Sequence, residues 1–336
     1  MRKHLSFTIG VALSVVFIWL AFRNVHFAQL VQAYSRAHLW QVGVLVLAEC
    51  FGLAVRGLRW YLLIAPGKKG TPWTVIKLET IGLALNNVLP FRLGELARAT
   101  VGSSVLKTPI ITLLATILVE RILDMFSLGV IFMLAVLVNG GEKWTGAYSG
   151  IVAAMIVVLI IGLAALIFLD VLVERNARLR AFFARMPKTG KFVRQIAVGA
   201  ESLRKLRFAV PIILLGFLLW FCDAFGYFWS AHTLGLNVVG FGRGLLLLCA
   251  GAFAVALPAV PGYFGTYELA LQQVMVAWGV DQSSALAFAT FLHINVYLVM
   301  TTLGIIFLYQ MGHSLGGMWR SLKNAHAEAG NVGQNS

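Results

Sequence analysis

Charge is what this sequence has least of. Of its 336 residues only 12% are Asp, Glu, Lys or Arg, while 60% are apolar and the mean hydropathy is +0.85. A soluble domain carries roughly a quarter charged and half apolar residues, so a water-soluble globule is excluded. Proline is scarce, with eight residues, and the 33 glycines follow no short period, which removes collagen-like, disordered and solenoid architectures. The three cysteines, Cys50, Cys222 and Cys249, stand far apart in apolar stretches without a Cys-x-x-Cys. They read as core residues, and neither a disulfide framework nor a zinc site is expected. The motifs HExxH, GxSxG, GxGxxG and GxxxxGK(S/T) are absent, and no two of the seven histidines are four residues apart. No catalytic residue, no metal and no cofactor is therefore expected, and the chain does not read as an enzyme.

What is present fits an all-α polytopic membrane protein. Met1-Arg2-Lys3 precedes an apolar run from Leu5 to Phe22 that is too long for a signal peptide and has no small-x-small cleavage site, so it reads as the first span. Further windows able to cross about 30 Å of hydrocarbon are Leu39 to Ile64, Ile110 to Val138, Ser149 to Leu169, Ala209 to Leu234 and Ala285 to Met311. Two more apolar stretches are broken. Pro72 to Lys107 is interrupted at Asn86-Asn87-Val88-Leu89-Pro90-Phe91-Arg92, and Gly244 to Trp278 at Pro258-Ala259-Val260-Pro261-Gly262. Proline removes a backbone donor and disfavours helix in the residue before it, so each stretch should be two short helices meeting at an irregular turn. The expectation is six full spans plus two re-entrant helical hairpins, an arrangement that admits an inverted repeat. An ordinary bundle with proline-kinked helices is the alternative.

The 27 basic residues outnumber the 13 acidic ones, giving a formal charge of +14 spread over loops and membrane ends. Anionic lipids are the expected partners and nucleic acid is not. Ten Lys/Arg lie between Arg175 and Arg207, and with Arg2, Lys3, Lys68, Lys69, Arg320 and Lys323 they predict a cytoplasmic side that holds both termini, in a multi-pass protein of the cell (inner or plasma) membrane. The first hairpin then enters from the cytoplasm and the second from outside. Within the loop 174–207, Leu179, Phe182, Phe183 and Met186 recur at helical spacing among arginines, the pattern of a helix lying in the headgroup plane. Phe27, Leu30, Val31 and Tyr34 form a weaker interfacial stripe. Residues 1–312 thus read as one transmembrane domain and 313–336 as a short, partly disordered cytoplasmic tail.

Seven of the 13 acids, Glu49, Glu79, Glu95, Glu120, Asp124, Asp223 and Glu268, fall within the expected membrane segments. A charge at depth costs a few kcal/mol, so these carboxylates must be paired or face water. Arg56, Arg59, Arg92, Arg98 and Arg121 are available at similar depth. Glu95 and Arg98, and Arg121 and Asp124, are three residues apart; Glu120 and Asp124 are four apart. Two readings compete for each cluster: an ion pair locking helices together, or groups that meet a ligand. Arg92 and Arg98 follow the proline break, where helix-start amides and a guanidinium could converge on a phosphate. Arg56 and Arg59 either snorkel to the interface or line a cavity. Glu268 follows Pro261-Gly262-Tyr263-Phe264-Gly265 and is expected to cap the next helix or reach Arg92 or Arg121. His293, alone in the last span near Asn295, reads as a core polar group.

Three segments carry a resemblance. Asn86 to Arg98, Glu120-Arg121-Ile122-Leu123-Asp124, and Pro261 to Glu268, with Arg-x-x-Arg-Trp at Arg56 to Trp60, are similar in order and spacing to signatures of the lysylphosphatidylglycerol-synthase-type transmembrane (flippase-like) family. The resemblance covers essentially the whole chain and implies a lipid-flippase domain with two re-entrant hairpins. About 25 residues follow the last span, too few for a fused synthase domain, so the expectation is a stand-alone member. Tyr263 and Phe264 replace the usual small residues between Gly262 and Gly265. The function expected is movement of a phosphate-containing lipid, of phospholipid or polyprenyl-phosphate type, between leaflets. Its substrate would be held by Arg56, Arg59, Asn86, Asn87, Pro90, Arg92, Glu95, Arg98, Glu120, Arg121, Asp124, Pro261, Gly262, Gly265 and Glu268. The alternatives are a membrane-embedded transferase on a lipid-linked substrate and a non-transporting assembly factor that partners envelope-lipid biosynthetic enzymes.

Overall fold

The computed structural model describes residues 16–23, 25–35, 37–64, 70–89, 93–140, 143–168, 175–176, 178, 181, 197–256 and 261–317, with the backbone alone at Phe27, 143–149, Leu166 and Pro261. Among the described residues there are helices and turns and no strand. A helical segment, α1, covers 16–22. It is followed by α2 (Phe27–Ser35), α3 (Leu39–Leu63), α4 (Pro72–Val88), α5 (Leu93–Leu106), α6 (Ile110–Val138), α7 (Lys143–Ile167), α8 (Leu206–Thr233), α9 (Phe241–Ala256), α10 (Thr266–Ala277) and α11 (Gln282–Gln310). The expected interfacial stripe at 179–186, Pro90, Phe91, Arg92, the turn 257–260, most of the first expected span and the tail beyond 317 lie outside the described residues.

Local chemistry sets the helix ends. Thr71 Oγ1 accepts from the Thr74 amide (3.2 Å) and Pro72 occupies the first turn of α4, where its missing donor costs nothing. Asp281 likewise accepts from the Ser284 amide at the start of α11 (2.9 Å). Helices α3, α6, α8 and α11 hold 25, 29, 28 and 29 residues, and each is long and apolar enough to cross a membrane. Helix α7 has 25 residues, with a described apolar stretch at Gly150–Ala165. Helix α2 does form, but Tyr34 packs on Phe291 and bonds Thr290 Oγ1 (2.5 Å), which ties it to α11.

Both expected breaks are present. Leu89, the residue before Pro90, is extended (φ −93°, ψ 142°) and ends α4. Helix α5 then returns antiparallel along α4, with Leu78 beside Gly102 and Gly82 beside Arg98. The return is tight: a Cβ on Gly94 would lie 2.1 Å from the Gly82 carbonyl oxygen, and Asn86 Oδ1 accepts from the Gly94 amide (2.8 Å). At the second break the short turn Pro261–Tyr263 leads into α10, and Gly262 has φ 77°, a left-handed conformation that glycine adopts without steric cost.

The order long helix, two short helices, long helix occurs twice, in α3 to α6 and in α8 to α11. The packing repeats with it. Helix α4 lies on α11 as α9 lies on α6, and α3 touches α11 as α8 touches α6. The equivalent helices α3 and α8 pack antiparallel, with the Trp229 indole on the Gln41 carbonyl at one end and Gly216 against Arg59 towards the other. The halves are therefore related by inversion. Two apolar cores form across the halves, one around Trp60, Leu78, Ile81 and Leu113 with Ile212 of α8 and Leu308 of α11, the other around Tyr227, Leu247, Leu271 and Phe288 with Ile131 and Ala135 of α6.

Candidate functional site

Two arginines from two helices, Arg59 and Arg98, converge inside the first half. Arg59 of α3 reaches Asp124 Oδ1 (2.7 Å) and Glu120 Oε1 (3.2 Å) of α6. Arg98 of α5 reaches Glu120 Oε2 (2.9 Å), pairs with Glu79 of α4, and lies over the Trp60 ring 4.3 Å from its centroid. Arg59, Glu79, Arg98, Glu120 and Asp124 are all buried. Ion pairs enclosed in this way recover the cost of bringing each charge out of water only together, because removing one strands another. Arg121, one residue on from Glu120, lies at the edge of that interior, 3.6 Å from Glu120 Oε1. It meets Glu95 (3.2 Å) and Asp124 Oδ2 (3.2 Å) with 35% of its side chain exposed.

Arg121 and Glu95 open onto a cavity of about 270 Å³ between the halves. Its wall carries Asn86 and Asn87 from the first hairpin, Tyr263 and Tyr267 from the second, and Glu49, Arg56, Asp223, Tyr227, His293 and Asn295 from the long helices. Arg56 donates to Asp223 Oδ2 (2.5 Å) and stacks on Trp220. The Trp220 indole N–H, on the same wall, has no hydrogen-bond partner among the described residues. Tyr267 donates to the Tyr227 hydroxyl (2.8 Å). At the base of the second hairpin Glu268 does two things: Oε2 accepts from the Gly265 amide (2.7 Å), closing the first turn of α10, and Oε1 contacts His293 Nδ1 (2.5 Å) on α11. The result is a polar chamber of both charge signs surrounded by apolar spans.

The residues expected from sequence divide into three groups. Arg56, Asn86, Asn87, Glu95 and Arg121 come together on the cavity wall. Arg59, Arg98, Glu120 and Asp124 come together behind it, in the ion-pair interior. Gly262, Gly265 and Glu268 shape the second hairpin, where Glu268 caps α10 and meets His293 rather than Arg121, and Pro261 belongs to the same turn. Glu95 and Arg98 do not pair: Glu95 turns to Arg121 and Arg98 turns inward to Glu79. Trp220, Tyr227, Tyr267, His293 and Asn295 were not among the expected site residues. Their one sequence signal is a polar atom on an otherwise apolar helix, which marks an intramembrane site. Cys222 also lies on the wall, and all three cysteines are free and half-buried.

Comparison with known proteins places this geometry. The family model for the lysylphosphatidylglycerol synthase transmembrane region matches residues 7–304. The chain is similar to a UPF0104 membrane protein of Pyrococcus horikoshii, 22% identical over 90% of this chain and 96% of that one. It is similar also to a UPF0104 membrane protein of Methanothermobacter thermautotrophicus, 22% identical over 91% and 93%. No solved structure matches the chain. The matched residues contain both broken hairpins, the arginine and carboxylate interior and the cavity, and the protein belongs to the lysylphosphatidylglycerol synthase transmembrane-region family.

Proposed function

We propose that this protein is a lipid transporter of the cell membrane that moves a lipid with a phosphate-containing headgroup between leaflets. The headgroup crosses the polar cavity while the hydrocarbon tails stay in the bilayer. The observation that carries this reading is the cavity itself: about 270 Å³ with Arg121 part-exposed on its wall, enclosed by helices whose outer faces are apolar. A guanidinium held in place by Glu95 and Asp124 keeps further N–H donors for a phosphate, and in a site of low dielectric such a contact is strong. Both hairpins are re-entrant in this reading, the first from the cytoplasmic face and the second from outside. Irregular backbone at membrane depth is tolerated where it borders a water-filled cavity, and each hairpin contributes to this one. Arg98 and Arg59, enclosed by carboxylates, hold the architecture, and the headgroup falls to Arg121 and Arg56. The basic loop 174–207 adds attraction to anionic lipids at the cytoplasmic surface.

The test is leaflet exchange of a headgroup-labelled phosphatidylglycerol in vesicles containing the purified protein. Wild type should exchange the label, Arg121→Ala should lose about a hundredfold in rate with little loss of thermal stability, and Arg121→Lys should recover part of it, because a point charge replaces a planar fork. Equal rates in wild type and Arg121→Ala would remove the headgroup role. Appearance of a covalently altered lipid in the same vesicles would favour the transferase alternative.

A further inference from the structure

Behind the cavity, on the lipid-facing side of α3 and α8, lies a second concavity of about 540 Å³ lined by Val44, Leu47, Phe51, Phe221, Phe225 and Phe241. It has no charged side chain on its wall. Two residues, Ala48 of α3 and Cys222 of α8, line both this groove and the polar cavity, so a methyl group and a thiol form part of the partition between them. Immediately on the cavity side, the next residue of each helix is charged: Glu49 beside Ala48 and Asp223 beside Cys222, with Arg56 bonded to Asp223. The change from wholly apolar to strongly polar thus takes place across one small-residue layer.

We infer that this groove is the tail site of the transported lipid: one hydrocarbon chain lies against Phe51, Phe221 and Phe225 while its headgroup occupies the polar cavity, and the contact between α3 and α8 at Ala48 and Cys222 is the lateral portal through which the two remain joined. The inference rests on the transport reading of the cavity. A lipid whose head is inside the protein and whose tails are in the bilayer needs an opening between helices, because its glycerol linkage is continuous. The portal sits where single residues, Ala48 and Cys222, border both concavities. It also sits at the antiparallel contact between the equivalent helices α3 and α8, so the element bordering it is shared by both halves of the inverted repeat. Aromatic side chains suit a hydrocarbon occupant, offering large apolar area without a polar group to leave unpaired. Ring pairs at this site, such as Phe221 stacked on Phe241 (6.4 Å), preform the wall.

The experiment uses the full chain in phosphatidylcholine vesicles with a trace of phosphatidylcholine bearing a diazirine near the end of one acyl chain. After illumination, adducts are mapped by mass spectrometry and leaflet exchange is measured on the same preparation. Adducts should concentrate on 44–51 and 221–225 by about tenfold over the more exposed face of α7 at 151–161, since a retained chain samples the groove more than bulk lipid samples an exposed helix face. Ala48→Trp should lower both groove adducts and exchange by about tenfold, and Leu298→Trp, on the lipid-facing surface of α11, should change neither. Should Ala48→Trp fail to fold, Phe51→Ser, at a half-exposed position that tolerates change, should lower groove adducts and exchange together. Adducts spread in proportion to exposure, with exchange intact, would overturn the tail site and leave the transport reading standing. Adducts concentrated in the groove without any exchange in wild type would support the site and sink transport.

Discussion

At the first hairpin, α4 and α5 are tied to α3 and α6 through Arg98 and Arg59, side chains that stay protonated at any pH a cell reaches, enclosed by Glu79, Glu120 and Asp124. At the equivalent place in the second hairpin, Glu268–His293 is the one ion pair between α10 and α11 among the described residues, beside a neutral bond from the Gln272 amide to the Gln282 carbonyl (3.1 Å). Here one imidazole stands where the first hairpin has two guanidinium groups. Faced by Phe264, Tyr267 and Tyr297, it has rings rather than further charges as close neighbours, and the cavity groups Arg121, Glu95, Glu49, Arg56 and Asp223 share the same wall. An inverted repeat therefore places a permanent multi-residue lock opposite a two-residue latch. The halves need not contribute equally to stability and to movement, even though they share one plan.

The sharpest way to break this comparison is all-or-none. With the three native cysteines replaced by alanine, Thr71→Cys and Lys107→Cys at the two ends of the first hairpin should both react with an impermeant maleimide from one face only, and Gly240→Cys, ahead of the second, only from the other. Labelling of residues 71 and 107 from opposite faces would make α4 and α5 parts of a full span and end the equivalence of the hairpins. Next in size is Arg98→Ala. It leaves Glu79 and Glu120 without a shared cation in the interior and should cost about 3–5 kcal/mol, read as lost thermal stability in detergent. A folded, stable variant with normal melting would show that the first hairpin is not locked by its charges.

Glu268→Gln should be milder. Glutamine can still accept from the Gly265 amide, so the cap survives while the charge opposite His293 is lost, at about 1–2 kcal/mol. Exchange should slow as the contact between α10 and α11 weakens. Unaltered exchange in a variant destabilised by far more than this would make Glu268 architecture, like Arg98. The smallest effect concerns the helix that carries His293. Asp281, exposed at the start of α11, is subject to burial that raises its pKa, but hydrogen bonds from Ser284 outweigh this and hold its carboxyl below the usual range. A depressed carboxyl contributes stability that is present above its unfolded pKa and is lost as pH falls through the folded one. Asp281→Ala should therefore lower stability by about 1 kcal/mol at neutral pH, with the difference from wild type vanishing in acid.

Several features were legible from local sequence because local chemistry causes them. Leu89 is extended since Pro90 follows it, the left-handed turn falls on Gly262, and long apolar windows became α3, α6, α8 and α11. The Arg121 and Asp124 pair, one helical turn apart, formed as spacing predicted. Spacing failed at Glu95 and Arg98, equally one turn apart. Two better partners, Glu79 and Glu120, approach Arg98 from other helices, and burial makes those pairings decisive.

By itself the sequence determined the environment and the class of fold: too few charges for water, apolar runs of membrane length, prolines that must interrupt two of them, and acids at depth that must be paired. Those are properties of single segments and of the free energy of placing each in hydrocarbon. Which arginines are enclosed and which face the cavity was decided by the tertiary structure alone. Arg98 and Arg121 are both membrane arginines with a carboxylate three residues away in sequence, Glu95 and Asp124, and nothing within either segment separates them. The difference arises because α3, α4, α5 and α6 close around one guanidinium and leave the other at the gap between the inverted halves. The pairing of Glu268 with His293, 25 residues away, has the same origin: the contact exists only once α10 has folded back on α11.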